Sequence, residues 1–202
     1  WDFEAARPVV AFSWPSAAET TGYVYDRDSI IFARDDLERL LIELTKDGRK
    51  VFLMGHSMGS QLIMEVMRQI SIGGTMDLRQ ISGVALFQPD IDEEVFERQA
   101  SRIDPLPEPF AIFVAAQDRA LRISAWLTGR EKRLGSIQNP EQLGDLPVVV
   151  IDLTQLGESG GLNHSIAFNS PTAIRILKEF FKTETNAEDQ AVRRIVLTPN
   201  QF

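Results

Sequence analysis

Cysteine is absent from the 202 residues. That removes a disulfide framework, a thiolate zinc site and a cysteine nucleophile together. Histidine occurs only twice, at His56 and His164, too few for a His-based metal centre. An excess of positive charge is also missing. Lys and Arg number 21 against 29 Asp and Glu, a net charge of −8, and a phosphate-backbone partner needs a basic footprint, so no nucleic acid is expected. No apolar run approaches the ~20 residues of a membrane span, so no transmembrane segment is expected. The opening Trp1-Asp2-Phe3-Glu4 has neither the basic region nor the apolar core of a signal peptide. It also lacks an initiator Met, so the natural N-terminus is expected elsewhere. What is present is ordinary for a globular protein: 44% hydrophobic and 25% charged residues. The length suits one domain, 1–202.

Short apolar runs recur at Val9–Ser13, Val51–Met54, Ser82–Phe87, Phe110–Ala116 and Val148–Leu153. Their hydrophobicity is continuous rather than alternating, which predicts strands buried on both faces, as in a parallel sheet covered by helices. Between them, 3.6-residue periodicity predicts helices over Ser29–Lys46, Met58–Ile72, Asp92–Ala100, Ala120–Leu127 and Pro171–Lys182. Strand and helix alternate throughout, so the fold class is α/β with a mostly parallel sheet flanked by helices on both faces. Asp104–Pro109 reads as a loop. Val192–Leu197 fits either a docked edge strand or a loose terminus.

The second run leads straight into Gly55-His56-Ser57-Met58-Gly59, the pattern G-x-S-x-G between a buried strand and an amphipathic helix. Such a turn strains the Ser backbone, holds its hydroxyl above the carboxyl edge of the sheet and aims a helix N-terminus at the same spot. Bulk at either glycine is expected to clash with neighbouring elements. The N–H of Met58 becomes a candidate oxyanion-hole donor. A Ser nucleophile needs a base. His56 lies inside the elbow with its side chain directed away from the Ser, which leaves His164, after the last strand and before the last helix. The acid belongs at a strand end between the two. Asp118, after Phe110–Gln117, is the better placed; Asp90, in Gln88-Pro89-Asp90, is its rival. Asp152 and Asp104 fit poorly.

Several segments resemble the bacterial α/β-hydrolase family filed as a domain of unknown function, DUF900. They are Phe12-Ser13-Trp14-Pro15-Ser16, Tyr23-Val24-Tyr25-Asp26-Arg27-Asp28-Ser29, Gly55-His56-Ser57-Met58-Gly59-Ser60, Gln88-Pro89-Asp90-Ile91-Asp92, Gln117-Asp118-Arg119-Ala120-Leu121 and Leu162-Asn163-His164-Ser165. The resemblance runs from about residue 9 to 180. It implies an α/β-hydrolase fold, esterase-type activity and a triad of Ser57, Asp118 and His164, in a soluble protein of the bacterial cytoplasm or cell envelope. One departure stands out. Members of the family carry a further strand upstream, ending in a His-Gly-Tyr-type loop that supplies the second oxyanion donor. On that frame Val9–Ser13 is the strand next to the nucleophile strand. The chain starts one strand late, and association with a missing N-terminal segment of the same protein is expected.

The combined reading is a serine hydrolase of the carboxylesterase or lipase-like kind, acting on a small-molecule ester with no metal or organic cofactor. Thioesterases, amidases and acyltransferases use the same machinery. The reading from another class is a non-catalytic α/β-hydrolase-like binding or scaffold module. Among the other side chains, Trp14, Tyr23 and Tyr25 suit either a pocket wall or a packed loop. Tyr25-Asp26-Arg27-Asp28 reads as a salt-bridged helix cap. Met54, Met64 and Met67 read as core filling, and Met58 as reaching the pocket. Trp126 is either a cap over the site or a surface aromatic.

Overall fold

The structure, a computed structural model, describes residues 8–17, 22–129, 132–156, 163–175 and 193–196. Five strands form one all-parallel sheet in sequential order: β1 Val51–His56, β2 Ile81–Phe87, β3 Phe110–Val114, β4 Val149–Asp152 and β5 Arg193–Val196. The helices are α1 Tyr23–Thr45, α2 Met58–Gly73, α3 Glu93–Ala100, α4 Arg119–Thr128 and the short α5 Ile166–Asn169. Another helix opens over 171–175. Its expected continuation toward Lys182 lies outside the described residues. Among the described residues no helix is long and apolar enough to cross a membrane.

The period of two along each strand divides the core between the two faces of the sheet. Val84, Leu86, Phe110, Ile112, Val114 and Val150 join one cluster with residues of α1, α2 and α3. Their alternates Ala85, Phe87, Ala111, Phe113 and Ile151 join a second with Ile166, Ala167 and Ala173. Apolar residues on both faces are what continuous hydrophobic runs imply. Helix ends follow local chemistry. Gly74 closes α2 in the left-handed conformation, φ 61, its N–H returning to the Ile70 carbonyl. Asp92 caps α3 by accepting from the Val95 N–H.

Four expectations are corrected. Val9–Ser13 is not a strand: it pairs with nothing in the sheet, and Val9 and Val10 are 82% and 56% exposed. A strand requires a partner edge, and this segment instead sends Phe12 and Trp14 onto the core. Among the described residues β1 is therefore an edge strand, and no gap beside Val9–Ser13 arises. Helix α1 starts at Tyr23 rather than Ser29; the residue before it makes no side-chain cap bond, so no N-cap signal precedes the first turn. Asp26 is not paired with Arg27. It accepts from Ser16 Oγ at 2.8 Å and the Ala17 N–H at 2.7 Å, tying the preceding loop to the first turn. Met54 lies on β1 with its side chain exposed, while Met64 and Met67 are wholly buried. The terminal run left open by its sequence is a docked edge strand, β5, parallel to β4.

Candidate active site

The turn after β1 carries Ser57 at φ 52 and ψ −122, a left-handed conformation that is costly for a residue with a Cβ. Its peptide groups are held on both sides by the end of β2 and the segment that follows it. Ser57 N–H donates to the Phe87 carbonyl at 2.9 Å, and the Ser57 carbonyl accepts from the Asp90 N–H at 3.2 Å. The two elbow glycines differ in necessity. A Cβ on Gly55 would lie 2.9 Å from Ser60 Cα and 2.8 Å from Ile63 Cδ1. A Cβ on Gly59 would meet only the Trp14 ring, at 3.4 Å. Met58 opens α2, where the first N–H groups have no intrahelical acceptor.

Asp118 follows β3 and is completely buried. It caps α4: Oδ1 accepts from the Ala120 and Leu121 N–H groups at 2.9 and 3.1 Å. Oδ2 accepts from Gln88 Nε2 at 2.9 Å and lies 2.7 Å from His164 Nδ1. Four donors thus use all four acceptor positions of one carboxylate. Facing an acceptor-only group, His164 Nδ1 carries the proton, which leaves Nε2 with a lone pair. The side chain of His164 is 21% exposed. Among the described residues no hydrogen bond joins Ser57 Oγ to His164; such bonds are often long in an unliganded site and tighten with substrate.

Asp90, the rival acid, makes its contacts elsewhere. Its Oδ1 lies 3.2 Å from Arg133 Nε, both side chains being buried, and accepts from Ser124 Oγ at 2.5 Å. With the single Ser124 proton on the carboxylate, the Tyr23 hydroxyl 2.8 Å away donates to Ser124. Burial, then the Asp90 charge, pushes the Tyr23 phenol above its ordinary value. Tyr23 is therefore tied into this network, whereas Tyr25 and Trp126 are exposed and Trp14 packs against the elbow. A polar cavity of about 170 Å³ adjoins the ion pair, with Arg27, Gln61 and Thr128 in its wall. Asp104 and Asp152 do not reach the Ser57 turn; Asp152 Oδ1 accepts from the Thr154 N–H instead.

Two residues without an assigned role stand inside the site. His56 turns toward the loop of His164, its Nε2 2.7 Å from the His164 carbonyl and its ring centroid 4.7 Å from that of His164. A carbonyl only accepts, so this nitrogen bears the proton. Burial is the main cause holding the His56 imidazole below its ordinary value, and the nearby His164 adds to it. Gln88, at φ 44, is completely buried. Its Nε2 donates to Asp118 and to the Asn163 carbonyl, while Oε1 is buried with no partner among the described residues. An unmet buried acceptor costs about 1–3 kcal/mol. In sequence Gln88 stands out only by its place directly after an apolar run and within a segment that resembles the family, and neither says anything of its partners.

A family model described as an alpha/beta hydrolase of unknown function, DUF900, matches residues 2–179. No curated protein and no solved structure matches the chain. The match takes in the elbow, strands β1 to β4 and the loop of His164, and ends before β5. With most of its length covered and its helices and parallel strands in alternation, the chain belongs to the DUF900 family of α/β hydrolases.

Proposed function

We propose that this chain is a serine hydrolase that cleaves carboxylic esters, built as a single domain, with Ser57 as nucleophile, His164 as base and Asp118 as the acid. The observation that carries the reading is the 2.7 Å contact between Asp118 Oδ2 and His164 Nδ1. It orients the imidazole with Nε2 free to take a proton. His164 removes the Ser57 hydroxyl proton as Oγ attacks the ester carbonyl. The carbonyl oxygen becomes an oxyanion facing the N–H of Met58, a donor of the kind worth about 3 kcal/mol. Collapse breaks the bond to the alkoxide, which takes the proton back from His164 and leaves an acyl-enzyme. Water, deprotonated by His164, then attacks the acyl carbon; the carboxylic acid leaves and Ser57 regains its proton. Asp118 holds the tautomer and stabilises the imidazolium throughout.

Fluorophosphonate labelling with peptide mapping tests the assignment. The expected outcome is a single adduct on Ser57, together with hydrolysis of short p-nitrophenyl esters that Ser57→Ala abolishes. Absence of label from folded protein, or hydrolysis that survives Ser57→Ala, defeats the reading and favours the non-catalytic module.

A further inference from the structure

We propose that Gln88 and His56 are positioning residues that hold the base-bearing loop by two consecutive carbonyls, Asn163 and His164. The proposal rests on the reading of His164 as the base. His56 is the last residue of β1 and pairs in register with Phe87, and Gln88 follows Phe87 directly. Two neighbouring strand ends therefore each supply one donor. His56 Nε2 reaches the His164 carbonyl at 2.7 Å, and Gln88 Nε2 reaches the Asn163 carbonyl. The first of these carbonyls belongs to Asn163, whose backbone stands in the left-handed region at φ 57.

Gln88 does more than anchor the loop. Its other Nε2 proton goes to Asp118 Oδ2, the same oxygen that His164 Nδ1 contacts. One amide thus joins the acid to the peptide preceding the base, so their relative position depends on a single buried group. The amide orientation is determined, because both partners of Nε2 are acceptors only. The left-handed backbone, and an Oε1 with no partner among the described residues, fall on the residue that makes this bridge. Unfavourable features of that kind gather where geometry serves function. His56 completes the hold while staying uncharged through burial, so it adds no repulsion when the neighbouring His164 becomes an imidazolium.

The test uses Gln88→Met, which keeps length and removes both donors. Turnover should fall roughly 10- to 100-fold, the range typical of partners that orient a functional imidazole, with KM within about twofold of wild type. The second readout needs no activity. Only two histidines occur, so the imidazole nitrogen-15 spectrum resolves His164 once His56 is replaced. In a His56→Gln background His164 should show one tautomer, protonated at Nδ1, and Gln88→Met should convert it to a tautomer mixture. An unchanged His164 spectrum overturns the proposal, as does unchanged kcat in an active enzyme. If Gln88→Met does not fold, His56→Phe and His56→Gln decide: Phe should lower kcat and Gln, which retains a donor, should restore most of it. Equal values for the two defeat the proposal. If Ser57 fails to label in wild type, the hydrolase reading falls and the His164 spectrum still judges the hold.

Discussion

Asp118 Oδ2 and His164 Nδ1 stand 2.7 Å apart across the ends of β3 and β4, with the carboxylate fully buried and the imidazole partly open. The carboxylate reaches this position because its other oxygen caps α4. One residue therefore joins a helix terminus to the imidazole, and the pair is as rigid as the cap.

That double use separates Asp118 from Asp90 by experiment. Asparagine still accepts from the N–H groups of α4 at Oδ1, so Asp118→Asn should fold normally. Its amide nitrogen would face donors on Gln88 and His164, forcing the wrong imidazole tautomer, and kcat for ester hydrolysis should drop about 10⁴-fold. Asp90→Asn instead leaves the Arg133 charge buried without its counter-ion. It should lower stability by about 3–5 kcal/mol while folded protein keeps most of its turnover. Urea midpoints and kcat on both variants decide; the reverse pattern would make Asp90 the acid.

His56 should make stability depend on pH in a predictable direction. Burial lowers its folded-state value below the ordinary 6.5. Below 6.5 the unfolded chain binds a proton that the folded chain does not, so stability falls as pH falls. The contribution is fully present above 6.5 and is lost as pH drops through the lower, folded-state value. Urea midpoints should therefore decline between pH 7.5 and mildly acid pH, and His56→Leu should decline less. Equal slopes would mean that His56 is not buried as a neutral ring.

Strand positions were legible because a two-face sheet leaves a trace of short, nearly continuous apolar runs, as at Val84–Phe87 and Phe110–Ala116. Val9–Ser13 carries the same trace and is no strand, since pairing depends on a neighbouring edge that composition does not describe. The start of α1 was missed for a local reason. Tyr23 to Asp28 mixes aromatic and charged residues without an apolar stripe, and no capping side chain precedes it. In the site, Ser57 was marked by its glycines, and His164 was singled out as base by the scarcity of histidine. Sequence ranks Asp118 above Asp90 by strand order alone, because the contacts that distinguish them come from Gln88, Arg133 and Ser124, distant along the chain. Gln88 lies in a segment that resembles the family, but its role is not legible there: a neutral amide acquires its partners only where three strand ends converge.

The two glycines of the elbow should behave differently when enlarged. A Cβ at Gly55 would stand 2.9 Å from Ser60 Cα and 3.0 Å from Ser60 N, backbone atoms that cannot swing aside. Gly55→Ala should cost about 1–3 kcal/mol and displace Ser57. Gly59 lies in the first turn of α2 and faces only the half-buried Trp14 ring. There Ala is a better helix former than Gly by about 0.8–1.0 kcal/mol, so Gly59→Ala should leave the urea midpoint unchanged or raised. A loss at Gly59 as large as that at Gly55 would show that Trp14 is clamped in place.

Gly135 offers a way to disturb Gln88 without touching its side chain. A Cβ there would lie 2.5 Å from the Gln88 carbonyl carbon and 2.8 Å from Pro89 N. The same turn is locked by Gly135 N–H to the Pro89 carbonyl at 3.0 Å and by Ala115 N–H to the Gly135 carbonyl at 2.8 Å. Gly135→Ala must therefore displace the backbone of Gln88, at a stability cost of about 1–3 kcal/mol. Gly129, the left-handed cap of α4 at φ 65, is a matched control: a Cβ there meets nothing within 4 Å, and Ala costs about 1–2 kcal/mol through backbone strain alone. Both variants should lose stability by similar amounts. Measured at equal folded fraction, turnover should fall in Gly135→Ala and remain at the wild-type value in Gly129→Ala. Equal turnover in the two would mean that the position of Gln88 does not govern the geometry of Asp118 and His164.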